Sequence, residues 1–154
     1  MAGAIEILID ADACPVKDET YKVALRLQVP VTLVSNQFLR VPPHELFKLI
    51  TVSDGFDAAD DEIAERAHDR SVVVTADILL AERALNKGAI VLAPTGRPFT
   101  DDSIGSAIAT RAIMADLRAG GGQVGGAAPF SKADRSRYLS ALDEALNRLK
   151  RSQR

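Results

Sequence analysis

Ile5-Glu6-Ile7-Leu8-Ile9 runs directly into Asp10-Ala11-Asp12. The apolar stretch has the length and branching of a strand covered on both faces. It stops on two carboxylates one residue apart, which is costly unless they meet a cation or a substrate. The device recurs far downstream, where Val72-Val73-Val74 runs into Thr75-Ala76-Asp77. In open parallel sheets ligands bind in the crevice at the carboxyl ends of the strands. Two strands that end in aspartate therefore predict one acidic site assembled from several loops.

Outward from these two stretches, short apolar strands alternate with helical patterns. Strands are expected at Pro30–Val34, Leu49–Val52 and Ala89–Leu92 as well, which gives about five. Pro15 suits the first turn of a helix, where its missing N–H costs nothing, and Val16, Val23, Ala24 and Leu27 follow at near-helical spacing. Further helices are predicted from Asp57 to His68 and from Ile78 to Asn86, the second closed by Gly88. Thr100 can cap another that runs to about Arg118. Alternation of this kind implies an α/β fold, a three-layer sandwich around a mostly parallel sheet.

Five glycines in residues 119–126 then interrupt all periodicity, as in a flexible segment. Ser131 and Asp134 resemble a capping box, and Tyr138, Leu142, Ala145, Leu146 and Leu149 form one helical stripe. The expected organisation is an α/β domain over 1–118, a glycine-rich segment over 119–130, and an amphipathic helix over 131–154 docked on the same domain. A chain of 154 residues, 47% apolar and 26% charged, suits one soluble domain. No apolar run approaches the roughly 20 residues a membrane span needs, and the N-terminus lacks the features of a signal peptide. The single Cys14 excludes an internal disulfide. A cytoplasmic location is expected, with no membrane and no disulfide partner.

The net charge of −2 is unevenly spread. Residues 1–130 carry 12 Lys and Arg against 18 Asp and Glu, a balance of −6; residues 131–154 carry 7 against 3, a balance of +4. Cations near a helix C-terminus need no partner to explain them. The acidic remainder argues against tight unspecific nucleic-acid binding, and few aromatic residues argue against a dedicated single-strand binder.

Asp10, Asp12, Asp77 and one of Asp101 and Asp102 are expected at strand ends, with Asp57, Asp60, Asp61 and Glu62 near enough in the middle helix to lean in. An all-oxygen set suits Mg²⁺ or Mn²⁺, and without a cation such carboxylates raise one another's pKa values. The plainer alternative is that each acid caps its own helix. That explains Asp77 or Asp101 singly but not the Asp10/Asp12 pair, since a cap needs one acid. Around this set, Lys17 on the first turn, Asn36 and Gln37 after the second strand, and the loop residues Arg40 and Arg97 are candidates for substrate phosphates. Cys14 has no second cysteine and no evident base, so it reads as a packing residue. His44 and His68 read as surface residues.

Asp10-Ala11-Asp12-Ala13-Cys14-Pro15-Val16-Lys17 closely resembles the opening motif of the bacterial YaiI/YqxD family. The likeness continues through Val34-Ser35-Asn36-Gln37, Arg40-Val41-Pro42 and Gly55-Phe56-Asp57-Ala58-Ala59-Asp60-Asp61. Thr75-Ala76-Asp77-Ile78-Leu79-Leu80-Ala81, Gly96-Arg97, Ile104-Gly105 and Pro129-Phe130-Ser131 extend it over nearly the whole chain. Two departures lie away from the aspartates: Ser103 stands where the family usually has Asn, and Ala127-Ala128-Pro129 replaces a Gly-Gly-Pro approach. The resemblance implies a PIN-like fold, whose relatives are commonly metal-dependent ribonucleases. It matches Asp10 to the first-strand aspartate, Asp60 or Asp61 to the mid-chain acid, and Asp77 to the acid opening the helix after the fourth strand. Asp101 is matched as the fourth.

These readings converge on a Mg²⁺- or Mn²⁺-dependent phosphodiesterase acting on RNA. Asp10, Asp12 and Asp77 hold the metal, and Asp61 and Asp101 complete the site or orient water. A second reading takes Asp10-x-Asp12 as the nucleophile and acid of a haloacid-dehalogenase-like phosphatase, with Ser35 as its next motif. The lysine and paired aspartates of that series do not follow. A third reading is a non-catalytic PIN-like module that binds RNA or protein.

Overall fold

The computed structural model describes residues 4–53, 55, 57–105 and 130–152. Its centre is a sheet of six strands: β1 (Glu6–Asp10), β2 (Val31–Ser35), β3 (Phe47–Thr51), β4 (Ser71–Val74), β5 (Ile90–Leu92) and β6 (Pro98–Phe99). Their spatial order is β3-β2-β1-β4-β5-β6. The first five are mutually parallel and β6 returns antiparallel to β5. The sheet thus has one strand more than the five read from the sequence. Two residues that include a proline carry no strand signal; β6 exists because the turn at Pro94–Arg97 folds it back onto Val91 and Leu92.

The helices are α1 (Lys17–Leu27), α2 (Ala58–Arg66), α3 (Ile78–Asn86) and α4 (Lys132–Arg151), and residues 101–105 are also helical. Alternate residues of each strand point to opposite faces, so an unbroken apolar strand feeds two cores. Ile7, Ile9, Leu33 and Val74 pack against α1 and α4. Leu8, Val34, Val73 and Val91 pack against α2 and α3. This three-layer arrangement explains why the strands show no polar alternation.

Local signals set the helix ends. The Ser131 hydroxyl accepts from the Asp134 N–H at 3.1 Å, and the Asp134 carboxylate accepts from the Ser131 N–H at 2.9 Å, closing the capping box. The stripe of α4 read from the sequence is its buried face, and Tyr138 at its centre meets the Thr20 hydroxyl of α1 at 2.6 Å. Gly88 follows α3 with φ +87°, the left-handed conformation that favours glycine. Thr100 and Ser103 exchange backbone-to-hydroxyl bonds of 2.8 and 3.1 Å, so serine fulfils the cap at the position of the family's asparagine. The helix expected to reach Arg118 and the glycine-rich stretch at 119–126 extend outside the described residues.

Pro15 lies outside its helix rather than in the first turn. The chain leaves β1 through a 3₁₀ turn at Ala11–Ala13, and Val16 is the N-cap of α1.

The strand order fixes where function can sit. From β1 the chain moves outward to β2 and β3, then crosses back to β4 and continues to β5 on the other side. The carboxyl ends of β1 and β4 therefore flank the one place where the connections diverge, the crevice that binds ligands in folds of this kind. Asp10 and Thr75-Ala76-Asp77 are the residues that end those two strands.

Candidate functional site

Asp10 sits at the last position of β1, opposite Val34 of β2. Its carboxylate accepts a hydrogen bond from the Thr75 hydroxyl at 2.9 Å, and the Thr75 oxygen in turn accepts the Asp77 N–H at 3.0 Å. One buried threonine thus ties the first aspartate to the start of α3. Burial chiefly raises the Asp10 pKa above the ordinary carboxylate value, the Thr75 bond opposes this, and the charges of Asp12 and Asp77 add to it.

Asp77 is the N-cap of α3, its Oδ1 accepting from the N–H groups of Leu79 at 2.8 Å and Leu80 at 3.2 Å. It is therefore a cap, as the plainer alternative holds. It is also part of the cluster, because its charge raises the pKa of both Asp10 and Asp60. The cap uses Oδ1 alone, and Asp77 stands outside the lining of the pocket that holds Asp10 and Asp60.

Asp60 comes from the first turn of α2. Burial first, then the charges of Asp77, Asp10 and Asp57, push its pKa up to about 6, with Arg83 pulling weakly the other way. Asp57 precedes the helix at φ +63°, in the left-handed region, and its carboxylate makes no capping bond. Asp10, Asp12, Asn36, Asp57 and Asp60 line one small polar pocket of about 140 Å³, and among the described residues no Lys or Arg lines it. Acids from β1, the turn after it and the start of α2 share this space, with Asp77 beside them.

Asp12 has a different task. Its Oδ1 accepts the Ser35 hydroxyl at 2.6 Å, and both oxygens accept the Asn36 N–H at 3.1 Å. Asn36 then donates its side-chain amide to the Ser53 carbonyl at 2.9 Å. Asp12 thus stitches the turn after β1 to the end of β2 and shapes the pocket wall.

The structure separates the other candidates from this pocket. Asp61, one residue beyond Asp60, points about 100° further round α2 and pairs with Arg83 at 2.9 Å on the solvent side. Asp101 is exposed in the helical residues after β6 and lines no part of the pocket. Lys17 donates to the carbonyls of Cys14 at 2.9 Å and Ala11 at 3.3 Å, so its ammonium fastens the 3₁₀ turn. Asn36 lines the pocket, whereas Gln37 is exposed and uses its N–H to hold the Ser35 hydroxyl at 3.1 Å. Arg40 lines a separate hollow with Asp18 and Tyr21, and Arg97 is exposed in the turn between β5 and β6. Cys14 is buried, and burial pushes its thiol pKa up, the opposite of what a nucleophile needs. Thr75 is the functional residue the sequence reading passed over. Its signal was available, since a hydroxyl two residues before a cap aspartate can serve both.

The donor chemistry fits a hard divalent cation: the acids are oxygen donors only, they repel one another, and no basic side chain among the described residues lines the pocket. Among the described residues no three acidic, histidine or cysteine side chains stand close enough to enclose a metal.

The chain matches the family model described as "Uncharacterized BCR, YaiI/YqxD family" over residues 8–148. It is 68% identical over 146 residues to a UPF0178 protein of Sphingopyxis alaskensis, covering 94% of this chain and 95% of the relative. It is 56% identical over 146 residues to one from Jannaschia sp., covering 94% of each. A relative from Nitrobacter winogradskyi is 52% identical over 149 residues, 97% of this chain and 95% of its own. No solved structure matches. A family model spanning most of the chain and relatives aligned nearly end to end lead to one conclusion: the chain belongs to the YaiI/YqxD family.

Proposed function

We propose that the pocket at the carboxyl ends of β1 and β4 binds Mg²⁺ or Mn²⁺ and hydrolyses a phosphodiester, with RNA as the substrate class. The observation that carries this reading is the convergence of Asp10, Asp12, Asp57 and Asp60 on one pocket at the strand ends, where burial and the charges of Asp77, Asp10 and Asp57 push the Asp60 pKa up. Carboxylates from separate elements held together at a cost to one another are most simply explained by a cation that reverses the cost.

Asp10 and Asp77 would hold the ion, with Asp12 bracing the wall through Ser35 and Asn36. The cation, when bound, activates water and stabilises the departing oxygen. The chain supplies the rest. Thr75 keeps the Asp10 carboxylate turned to the crevice by its hydrogen bond. Asp60, which lines the pocket beside Asp10, would accept the proton from an attacking water. Asn36 lines the pocket where a substrate oxygen would lie. The phosphatase reading needs Asp12 to deliver a proton to the leaving group. Its Oδ1 instead accepts from the Ser35 hydroxyl of β2, and both oxygens accept from the Asn36 N–H just after it, so no observation favours it.

The test is a Mn²⁺ titration by calorimetry of the wild type beside Asp10→Asn and Asp77→Asn, with circular dichroism to confirm the fold. Binding to the wild type that vanishes in both variants is expected, followed by Mn²⁺-dependent cleavage of RNA. Absence of binding, or equal binding by all three proteins, overturns the metal reading and leaves the non-catalytic module.

A further inference from the structure

Three large apolar side chains among the described residues are exposed: Leu25, Phe38 and Leu79. Scattered singly, such residues need no explanation. Two of these are not scattered. Leu79 lies in the first turn of α3, two residues after Asp77. Phe38 lies two residues after Asn36, which lines the acidic pocket. They stand on the two banks of the crevice, after β4 and after β2, the strands on either side of β1.

Phe38 is 81% exposed, far more than its companions. The loop that carries it is anchored rather than loose at its root, by the Asn36 N–H to Asp12 and the Gln37 N–H to the Ser35 hydroxyl. The ring is thus held out in water two residues along the chain from the pocket-lining Asn36, whereas Leu39 and Val41 pack against the core. Two residues further, Arg40 is exposed and enters no ion pair among the described residues. It borders a hollow of about 480 Å³ lined by Tyr21, Val41, Pro42 and Pro43, with Asp18 on the same wall. Asn36, Phe38 and Arg40 fall within a reach of roughly 14 Å along an extended chain.

A π-face followed by a cation, leading away from a site for a phosphodiester, is the combination that holds an unpaired polynucleotide. A base stacks on the ring and the neighbouring phosphate meets the guanidinium. A duplex offers no free base face to such a ring. Against the expectation drawn from the low aromatic content, and because Phe38 is so exposed, we propose that Phe38 is a base-stacking platform and Arg40 its phosphate contact, so that the substrate of the acidic site is a single-stranded nucleic acid. This rests on the phosphodiesterase reading for what the strand is brought to, but the platform itself binds without a metal.

The experiment is fluorescence anisotropy of a labelled 12-nucleotide oligouridylate and of a duplex of equal length, in EDTA at low salt, with the full chain. The wild type is expected to prefer the unpaired strand. Phe38→Ala should weaken that binding about tenfold or more, the order of one lost stacking contact, while Phe38→Trp preserves it. Arg40→Ala should weaken it and reduce the salt slope by about one. The platform is overturned if the wild type retains no oligouridylate, as expected of a surface for a protein partner. It is also overturned if the duplex binds as well, or if Phe38→Ala binds like the wild type. The two readings fail separately. Loss of Mn²⁺ binding with Phe38-dependent strand binding removes the hydrolysis and keeps the platform; Mn²⁺ binding with indifference to Phe38 does the reverse.

Discussion

Replacing Asp60 by Asn should make the metal-free protein more stable at neutral pH. The folded protein raises the Asp60 pKa from the ordinary 3.8 to about 6, which means the charged form is disfavoured by folding. Two pK units correspond to about 3 kcal/mol. The side chain is only part-buried, so screening by water reduces this to about 1 kcal/mol. The sign follows from linkage. Below pH 4 the carboxyl is protonated in both folded and unfolded chains and imposes no penalty. Between about pH 4 and 6 the unfolded chain loses its proton first, so wild-type stability falls relative to the variant, and above pH 6 the whole penalty is present. Asparagine removes the charge with little change of shape. Thermal melts in EDTA should therefore show the variant level with the wild type at pH 4 and about 2–4 °C higher at pH 7.5. Asp61→Asn, whose carboxylate pairs with Arg83 at the surface, should stay within about 0.5 kcal/mol of the wild type. Saturating Mn²⁺ should narrow the gap, because an ion held by Asp10 and Asp77 offsets the charges that penalise Asp60. The reasoning fails if the two proteins keep a constant difference from pH 4 to 7.5, or if Asp61→Asn reproduces the effect.

Gly96 has φ +88°, and a Cβ there would lie 2.5 Å from the Arg137 carbonyl carbon in the backbone of α4, whereas at Gly88 the nearest atom is the Asp69 Cβ at 3.2 Å. Urea unfolding should show Gly88→Ala costing about 1–2 kcal/mol and Gly96→Ala clearly more; equal costs would mean that α4 gives way. Thr75→Val keeps the shape but removes the bond to Asp10 and leaves the Asp77 N–H without its acceptor. It should cost about 1–3 kcal/mol in unfolding and weaken Mn²⁺ measurably by calorimetry, and unchanged affinity would show that Thr75 does not orient Asp10. Tyr138→Phe deletes the buried contact with the Thr20 hydroxyl and should cost about 1–2 kcal/mol, with Thr20→Val adding little on top in a double-mutant cycle.

Much of this architecture is written in short-range signals. The buried strands show as apolar runs because helices cover both faces, and α3 is bounded by Asp77 at its start and Gly88 after its end. The capping box of α4 depends on two residues three apart and is legible for the same reason. Phe47 begins β3 two residues earlier than the apolar pattern suggests, because its ring packs on Tyr21 at 4.7 Å. That contact joins residues distant in sequence, and no local pattern contains it. β6 likewise depends on the Gly96 turn being pressed against α4.

The site shows the same division more sharply. That Asp10 and Asp77 end neighbouring strands follows from the apolar runs before them. Choosing between Asp60 and Asp61 requires the phase of α2 about its own axis, and adjacent helical residues point about 100° apart. The phase is set by Ala59, Ile63 and Ala64, which pack on the sheet face around Leu8 and Val73. Once those three are buried, Asp60 must turn toward Asp10 and Asp77, and Asp61 must turn out toward Arg83. Asp101 and Asp60 could not be ranked from sequence either, since both open helical segments after a strand or loop. The strand order ranks them: β5 stands between β4 and β6, which places the turn after β6 away from the β1/β4 crevice. The acids that sequence reasoning can name are those that end strands, and the acid that completes the pocket is selected by which apolar residues its helix buries.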